Sequence, residues 1–295
     1  MSQLSGMTGF ARVTGEAEWG AWAWEAKSVN GRGLDVRVNT PPGFDALERA
    51  VKAAASRRFN RGSLQVSLRI ELSDRAGGAV IDEALLKSLT SAAEKALGGP
   101  LSGEAIAALM SIKGVVETGS SSLRDVAADE AVMTMLAQGA EAALEQLDTA
   151  RRAEGQSLLA MLGELVDEMS AVTESAISLA AGQPGLLQAR LSKQLDELGA
   201  DQKVDPDRLA AELALTAAKA DVREELDRLQ AHFASARDLL ATGSPVGRKL
   251  DFLAQELNRE ANTLCSKSVS LDLTNAGLSL KGTIDQFKEQ AANVE

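Results

Sequence analysis

The stretch "DVREELDRLQAHF", Asp221–Phe233, holds the only histidine of the chain, His232. On a helix, Asp221, Glu225, Arg228 and His232 fall at spacings of four, three and four and share one face. One imidazole beside carboxylates can bind a divalent cation or move a proton. A lone His with two acids is not a zinc signature, which needs more His or Cys at defined spacing. An oxygen-rich set suits a hard ion such as Mg²⁺ or Mn²⁺. The alternative is a surface or capping histidine paired with Glu225 or Arg228.

The segment "KLDFLAQELNREANTLCSK", Lys249–Lys267, follows after the break "TGSP". Leu250, Leu253, Leu257, Ala261 and Leu264 form one apolar stripe at helical spacing. Asp251, Gln255, Asn258, Arg259 and Asn262 form a second stripe, with Glu256 and Glu260 beside it. Asn is a poor helix former because its amide competes for backbone partners. A stripe of this kind points to contacts rather than to solubility. A short turn between two helices predicts antiparallel packing. Glu256, Glu260 and Asp251 are then expected to face Glu225 and His232. Facing carboxylates repel unless a cation or an arginine, such as Arg248 or Arg259, sits between them. An intersubunit salt-bridge network is the other reading.

Cys265 reads as a small buried residue, with a nucleophile activated by His232 as the alternative. Neither GxxxxGK[ST] nor GxGxxG occurs. "SVNGRGLD", Ser28–Asp35, is a strand-end loop carrying Asn30 and Arg32, able to hold a phosphate or simply to turn. Arg57, Arg58 and Arg61 lie within five residues around the start of a strand. They form either a basic patch or a solvated helix end.

These residues need elements to position them. "AWAWEAKSV", "LDVRVN" and "SLQVSLRIEL" alternate apolar and polar residues as half-buried strands do. Phe44–Phe59 has helical spacing after "TPPG". Helices are expected from Asp82 to Leu97, from Ser102, and from Asp125 to Ala181 with a break near Gly155. Further helices are expected over Leu186–Leu198, Pro206 to about Leu240, Val246–Leu264 and Leu271–Asn293. Lys113–Ser122 reads as a loop. The fold class is therefore α+β: an N-terminal mixed α/β domain with a small antiparallel sheet, then a mainly helical region with long antiparallel helices. The expected divisions are 1–122 (sheet core about 1–75), 123–204 and 205–295.

Aromatics make up 3% and Tyr is absent, which favours helix over strand and predicts weak base stacking. One cysteine excludes an internal disulfide and fits a reducing cytoplasm. No signal peptide is expected from "MSQLSGMTGF", and no apolar stretch approaches a membrane span. The net charge of −11 argues against nucleic acid globally. Residues 1–75, however, hold 11 Lys and Arg against 8 Asp and Glu, a balance of +3, while the remainder carries −14. Phosphate contacts need local positive charge only.

In order and spacing, "SGMTGFAR", "WEAKSVNGRGLD" and "RGSLQVSLR" resemble the opening block of the YicC/YloC family of bacterial proteins. "RRAEGQSL" resembles its central motif, and "DVREELDRLQAHF" with "GRKLDFLAQELNREANTLCSKS" its C-terminal block. The resemblance implies a cytoplasmic, divalent-metal-dependent endoribonuclease, built as a homohexamer that closes around RNA. Its matching positions are Glu224, Glu225, Arg228, His232, Arg248, Asp251, Gln255, Glu256, Asn258, Arg259, Glu260, Asn262, Ser266 and Lys267. Gly33 and Asp35 depart from the family's usual Tyr and Glu, removing an aromatic that could stack on a base.

Joined to the residue reading, this predicts Mg²⁺ or Mn²⁺ held by Glu225, Glu256 and Glu260, with Asp221 or His232. The expected catalytic residues are His232, Glu256 and Arg259. Arg228, Arg248, Asn262 and Lys267 are expected to hold RNA, and Arg12, Arg32, Arg57 and Arg61 to guide it. Other RNA-decay enzymes are candidate partners. The rival class is a non-catalytic RNA-binding adaptor that delivers RNA to another nuclease, and a third is a helical scaffold with no RNA role.

Overall fold

The computed structural model describes residues 3–73, 79–118, 123–197 and 205–295. Strands β1 (Gly9–Ala17) and β2 (Gly20–Val29) form a hairpin with Ala17 opposite Gly20. Gly20 has φ +148°, and a Cβ there would lie 2.0 Å from the Glu71 carbonyl oxygen, so only glycine fits the turn. Strand β3 (Leu34–Asn39) leads through helix α1 (Asp45–Arg58) to β4 (Gly62–Leu72). The sheet order is β1-β2-β4-β3. It is antiparallel except at one edge, where β3 pairs parallel with β4. The helix between those strands is the cause, because a crossover returns the chain in the same direction.

One face of the sheet is apolar. Trp24, Ala26, Leu64, Val66 and Leu68 pack against Leu47, Val51 and Ala55 of α1 and Leu136, Leu144 and Leu147 of α5 (Glu130–Ala180). The indole N–H of Trp24 donates to the Leu136 carbonyl at 2.8 Å. Strands β5 (Ala79–Ile81) and β6 (Val116–Thr118) pair antiparallel around helices α2 (Glu83–Leu97) and α3 (Gly103–Met110). Strand β6 thus falls inside the expected loop, whose last residues lie outside the described ones. A short helix α4 (Leu123–Ala128) leads on to α5.

Helix α5 runs without interruption from Glu130 to Ala180, 51 residues, about 77 Å at 1.5 Å per residue. The expected break at Gly155 does not occur. A Cβ at Gly155 would lie 2.0 Å from the Leu4 carbonyl oxygen, so this glycine admits the crossing N-terminal segment and the helix continues. Gly163, on the same helix, has nothing within 4 Å of an added Cβ. Gly155→Ala should therefore cost about 1–3 kcal/mol through forced displacement. Gly163→Ala should gain about 0.5–1 kcal/mol from reduced unfolded-state freedom. Urea melts of the two variants check the opposite signs.

The second half of α5 enters another core. Leu162, Val166 and Met169 pack with Phe233 of α8 (Arg223–Thr242), Leu250 and Leu257 of α9 (Gly247–Lys267), and Ile284 and Phe287 of α10 (Leu271–Ala291). Helices α6 (Gln183–Glu197) and α7 (Pro206–Lys219) stand between. The side chain of Asp205 caps α7 by accepting from Asp207 N at 3.0 Å. The single helix expected from Pro206 to Leu240 is divided at Ala220–Val222. Buried Gln183 donates to the Ala220 carbonyl at 3.0 Å, and Asp221 accepts from the Arg223 amide, which starts α8 afresh. Among the described residues no helix is long and apolar enough to cross a membrane.

Candidate functional site

Helix α8 buries Leu226, Leu229, Phe233, Ala236 and Leu240, and α9 buries Leu250, Leu253, Leu257, Ala261 and Leu264. Both stripes face the same core, and the short Gly243–Val246 link sends α9 back along α8. The polar positions beside the stripes then meet as rungs. Glu225 accepts from Lys267 Nζ at 2.8 Å. Arg228 Nη1 lies 3.4 Å from Glu260 Oε1. At the next rung, ligand atoms of His232, Glu256 and Glu260 all lie within 4.8 Å of one another. Glu256 and Glu260 are one helical turn apart, so both carboxylates reach the imidazole from one side.

Glu225 and Glu260 are only 5% and 3% exposed. A buried carboxylate is costly unless a positive charge faces it. Lys267 and Arg228 meet that need. Glu256 is half-buried, with Arg259 Nη1 3.7 Å from its carboxylate. The three groups of the cluster offer one nitrogen and two carboxylate ligands, a set compatible with Mg²⁺ or Mn²⁺.

The comparisons with known proteins bear on this seam. Residues 4–160 match the family described as Endoribonuclease YicC-like, N-terminal region, and residues 178–295 match Endoribonuclease YicC-like, C-terminal. The chain belongs to the endoribonuclease YicC-like family. A probable endoribonuclease YicC of Haemophilus influenzae is 34% identical over 98% of this chain and 99% of its own length. One from Clostridioides difficile is 26% identical over the same shares.

In this YicC-like chain the metal set expected from sequence is not brought together whole. His232, Glu256 and Glu260 meet; Asp221 and Glu225 are not in the cluster. Asp221 lies before α8 begins, so helical spacing does not carry it onto the shared face. The Arg223 guanidinium and amide bind it instead and hold its carboxyl down to about 2. Glu225 is turned to Lys267, and its second oxygen is buried with no hydrogen-bond partner among the described residues. His232 pairs with neither Glu225 nor Arg228 but sits beside the α9 acids. Cys265 packs so close to α10 that a Cβ on Gly277 would lie 2.5 Å from its sulfur. Burial pushes its thiol up, which suits packing and not nucleophilic attack.

The polar stripe of α9 is largely satisfied within the chain. Gln255 donates to Asp251 at 3.2 Å, Asn262 to Asn258 at 2.8 Å, and Asn258 to Asp285 of α10 at 3.1 Å. Arg259 keeps 68% of its side chain exposed. Arg248 donates to the Arg32 carbonyl at 3.4 Å, joining the β2–β3 loop to the start of α9. Arg57 is exposed and 3.8 Å from Glu141, and Arg12 is 3.7 Å from Glu25. Arg61 departs from the expected role of a free guide. Its guanidinium is taken up by the carbonyls of Gly31 at 2.8 Å and Val294 at 3.4 Å.

Proposed function

We propose that this chain is a divalent-metal-dependent endoribonuclease that cleaves phosphodiester bonds in RNA during RNA turnover in the cytoplasm. The observation that carries the reading is the convergence of His232, Glu256 and Glu260 from two antiparallel helices. The names of both relatives, probable endoribonucleases, point to the same chemistry. Held by those three side chains, Mg²⁺ or Mn²⁺ would supply Lewis acidity and lower the pKa of a bound water.

The chain's own residues do the rest. Arg228 of α8 anchors the Glu260 carboxylate of α9 across the seam. Arg259, exposed beside Glu256, neutralises charge on the phosphodiester as it builds up. Buried Glu225 fixes the ammonium of Lys267, which, with Arg248 and Asn262, holds flanking phosphates. The imidazole of His232 is the group placed to take up or return a proton. Assembly as a homohexamer belongs to the same proposal and rests on the family resemblance.

The test is cleavage of an end-labelled structured RNA with Mg²⁺, with Mn²⁺ and with EDTA, beside Glu256→Gln. Internal cuts that need metal and vanish in the variant are expected. No cuts in either metal, with RNA still retarded on a gel, would sink the nuclease for that substrate and favour the adaptor.

A further inference from the structure

Helices α1 and α5 cover only the apolar face of the four-stranded sheet. Alternation puts Phe10, Arg12 and Thr14 of β1 on the other face, with Lys27 of β2, Gln65 and Arg69 of β4, and Arg37 of β3. All of these are exposed. The strand registers set four of them in one row: Phe10 opposite Lys27, Lys27 opposite Gln65, and Gln65 opposite Arg37. Neighbouring strands lie about 4.8 Å apart, so the row runs some 14 Å across the sheet. Phe10 is 59% exposed, the one phenylalanine of the sheet turned to solvent among the described residues.

The charges along this row are available. Lys27 has no ion-pair partner among the described residues. Arg37 meets only Asp35, two residues away on its own strand at 3.0 Å, with 73% of its side chain exposed. An exposed pair of this kind is weak and easily exchanged for another anion. One row on, Glu25 lies 3.7 Å from Arg12 and 3.5 Å from Arg69, which stands a further row along opposite Ala23. With Glu16 and Glu71 also on this face, the charge there is balanced, and the positive excess is confined to the row of Lys27 and Arg37. This face belongs to the segment with a balance of +3 on a chain of −11.

We propose that this sheet face is a second RNA-contact site, separate in its residues from the α8–α9 seam, that takes a single-stranded segment. Phe10 stacks on a base, Lys27 and Arg37 hold phosphates, and Gln65 offers an amide to base edges. The proposal rests on the reading that RNA is the substrate. An apolar partner surface fits the face less well, because Phe10 is flanked by Lys27 on the neighbouring strand and by Arg12 two residues on.

The test measures binding of a fluorescein-labelled unstructured 12-nucleotide RNA by anisotropy in EDTA, where metal-dependent cutting is absent. Phe10→Ala should weaken binding about tenfold without changing its salt dependence. The double variant Lys27→Gln, Arg37→Gln should weaken it and lower the slope of log K against log salt by about 0.7 per lost phosphate contact. Sedimentation of each variant is run alongside. Unchanged affinity in both variants, with wild-type protein still cutting RNA in Mn²⁺, overturns the site and leaves the nuclease standing. Weakened binding in the variants, with no cutting by wild type in any metal, supports the site and sinks the nuclease. Unchanged affinity with a smaller assembly in Phe10→Ala overturns the site and makes the face a contact between copies.

Discussion

Arg151→Met should lower the unfolding free energy by about 3–5 kcal/mol, which for a chain of this size lowers the melting temperature by roughly 5–8 °C. Arg151 is completely buried in the middle of α5. Its Nε donates to the Gly6 carbonyl at 2.7 Å and its Nη2 to the Arg61 carbonyl at 3.0 Å. The same Nη2 lies 3.1 Å from the carboxylate of Glu295, and the guanidinium sits 4.8 Å from the centre of the Phe59 ring. Burial pulls the guanidinium's pKa down, and Glu295, Asp148 and Glu154 pull it back. Met fills much of the volume, so the loss comes from the charge left behind and not from a cavity. Glu295 also accepts from the Asn60 and Arg61 amides, so it stays buried when its cation is gone. Arg152→Met is the control, since Arg152 is 57% exposed on Asp148; it should cost less than about 0.5 kcal/mol. Urea melts at pH 7 decide the matter. Equal losses for Arg151→Met and Arg152→Met would mean that the buried pair contributes nothing special.

Why this ion pair escaped the sequence is instructive. "RRAEGQSL" stands out as a motif, yet nothing local says that Arg151 is buried and Arg152 is not. The answer lies at Gly6, Arg61 and Glu295, between 90 and 145 residues away. Period and turn chemistry are local, and what they report was legible. The alternation of β2, β3 and β4 and the proline after Asp205 give elements at nearly the observed positions. Local signals failed where a distant segment decides. Gly155 reads as a break, but the Leu4 carbonyl makes it a close approach. Asp221 reads as part of a helical face, but Gln183 ends the preceding helix at Ala220 and restarts the chain. At the site, spacing shows that α8 and α9 each have a polar edge. Which residues oppose one another depends on the length of the link and the depth of each leucine stripe. Hence spacing names His232, Glu256 and Glu260 only within a larger set that includes Glu225 and Asp221, and does not show that Glu225 turns to Lys267 instead.

Glu260→Gln separates the two roles that this carboxylate can have. One role is structural: Glu260 is 3% exposed and answers Arg228. The other is chemical, as one corner of the cluster with His232 and Glu256. Gln is close in shape and still offers Arg228 an oxygen, so the fold should survive with a loss of about 1 kcal/mol. Cleavage should nevertheless fall by about 10³-fold, the scale seen when one charged or polar group of a reacting centre is removed. Arg228→Met reverses the pattern. It removes the half-exposed guanidinium from a buried carboxylate and should cost about 1–3 kcal/mol, while the carboxylate itself remains. A readout apart from activity keeps the roles distinct. A cation that binds only the folded protein raises its stability by about 2.7 kcal/mol at a hundredfold excess over Kd. Mn²⁺ should therefore raise the melting temperature of wild type and leave that of Glu260→Gln unmoved. If the variant melts and responds to Mn²⁺ as wild type does and still cuts RNA, Glu260 is only the partner of Arg228. The cluster would then be reduced to His232 and Glu256, too few ligands to hold the ion on their own.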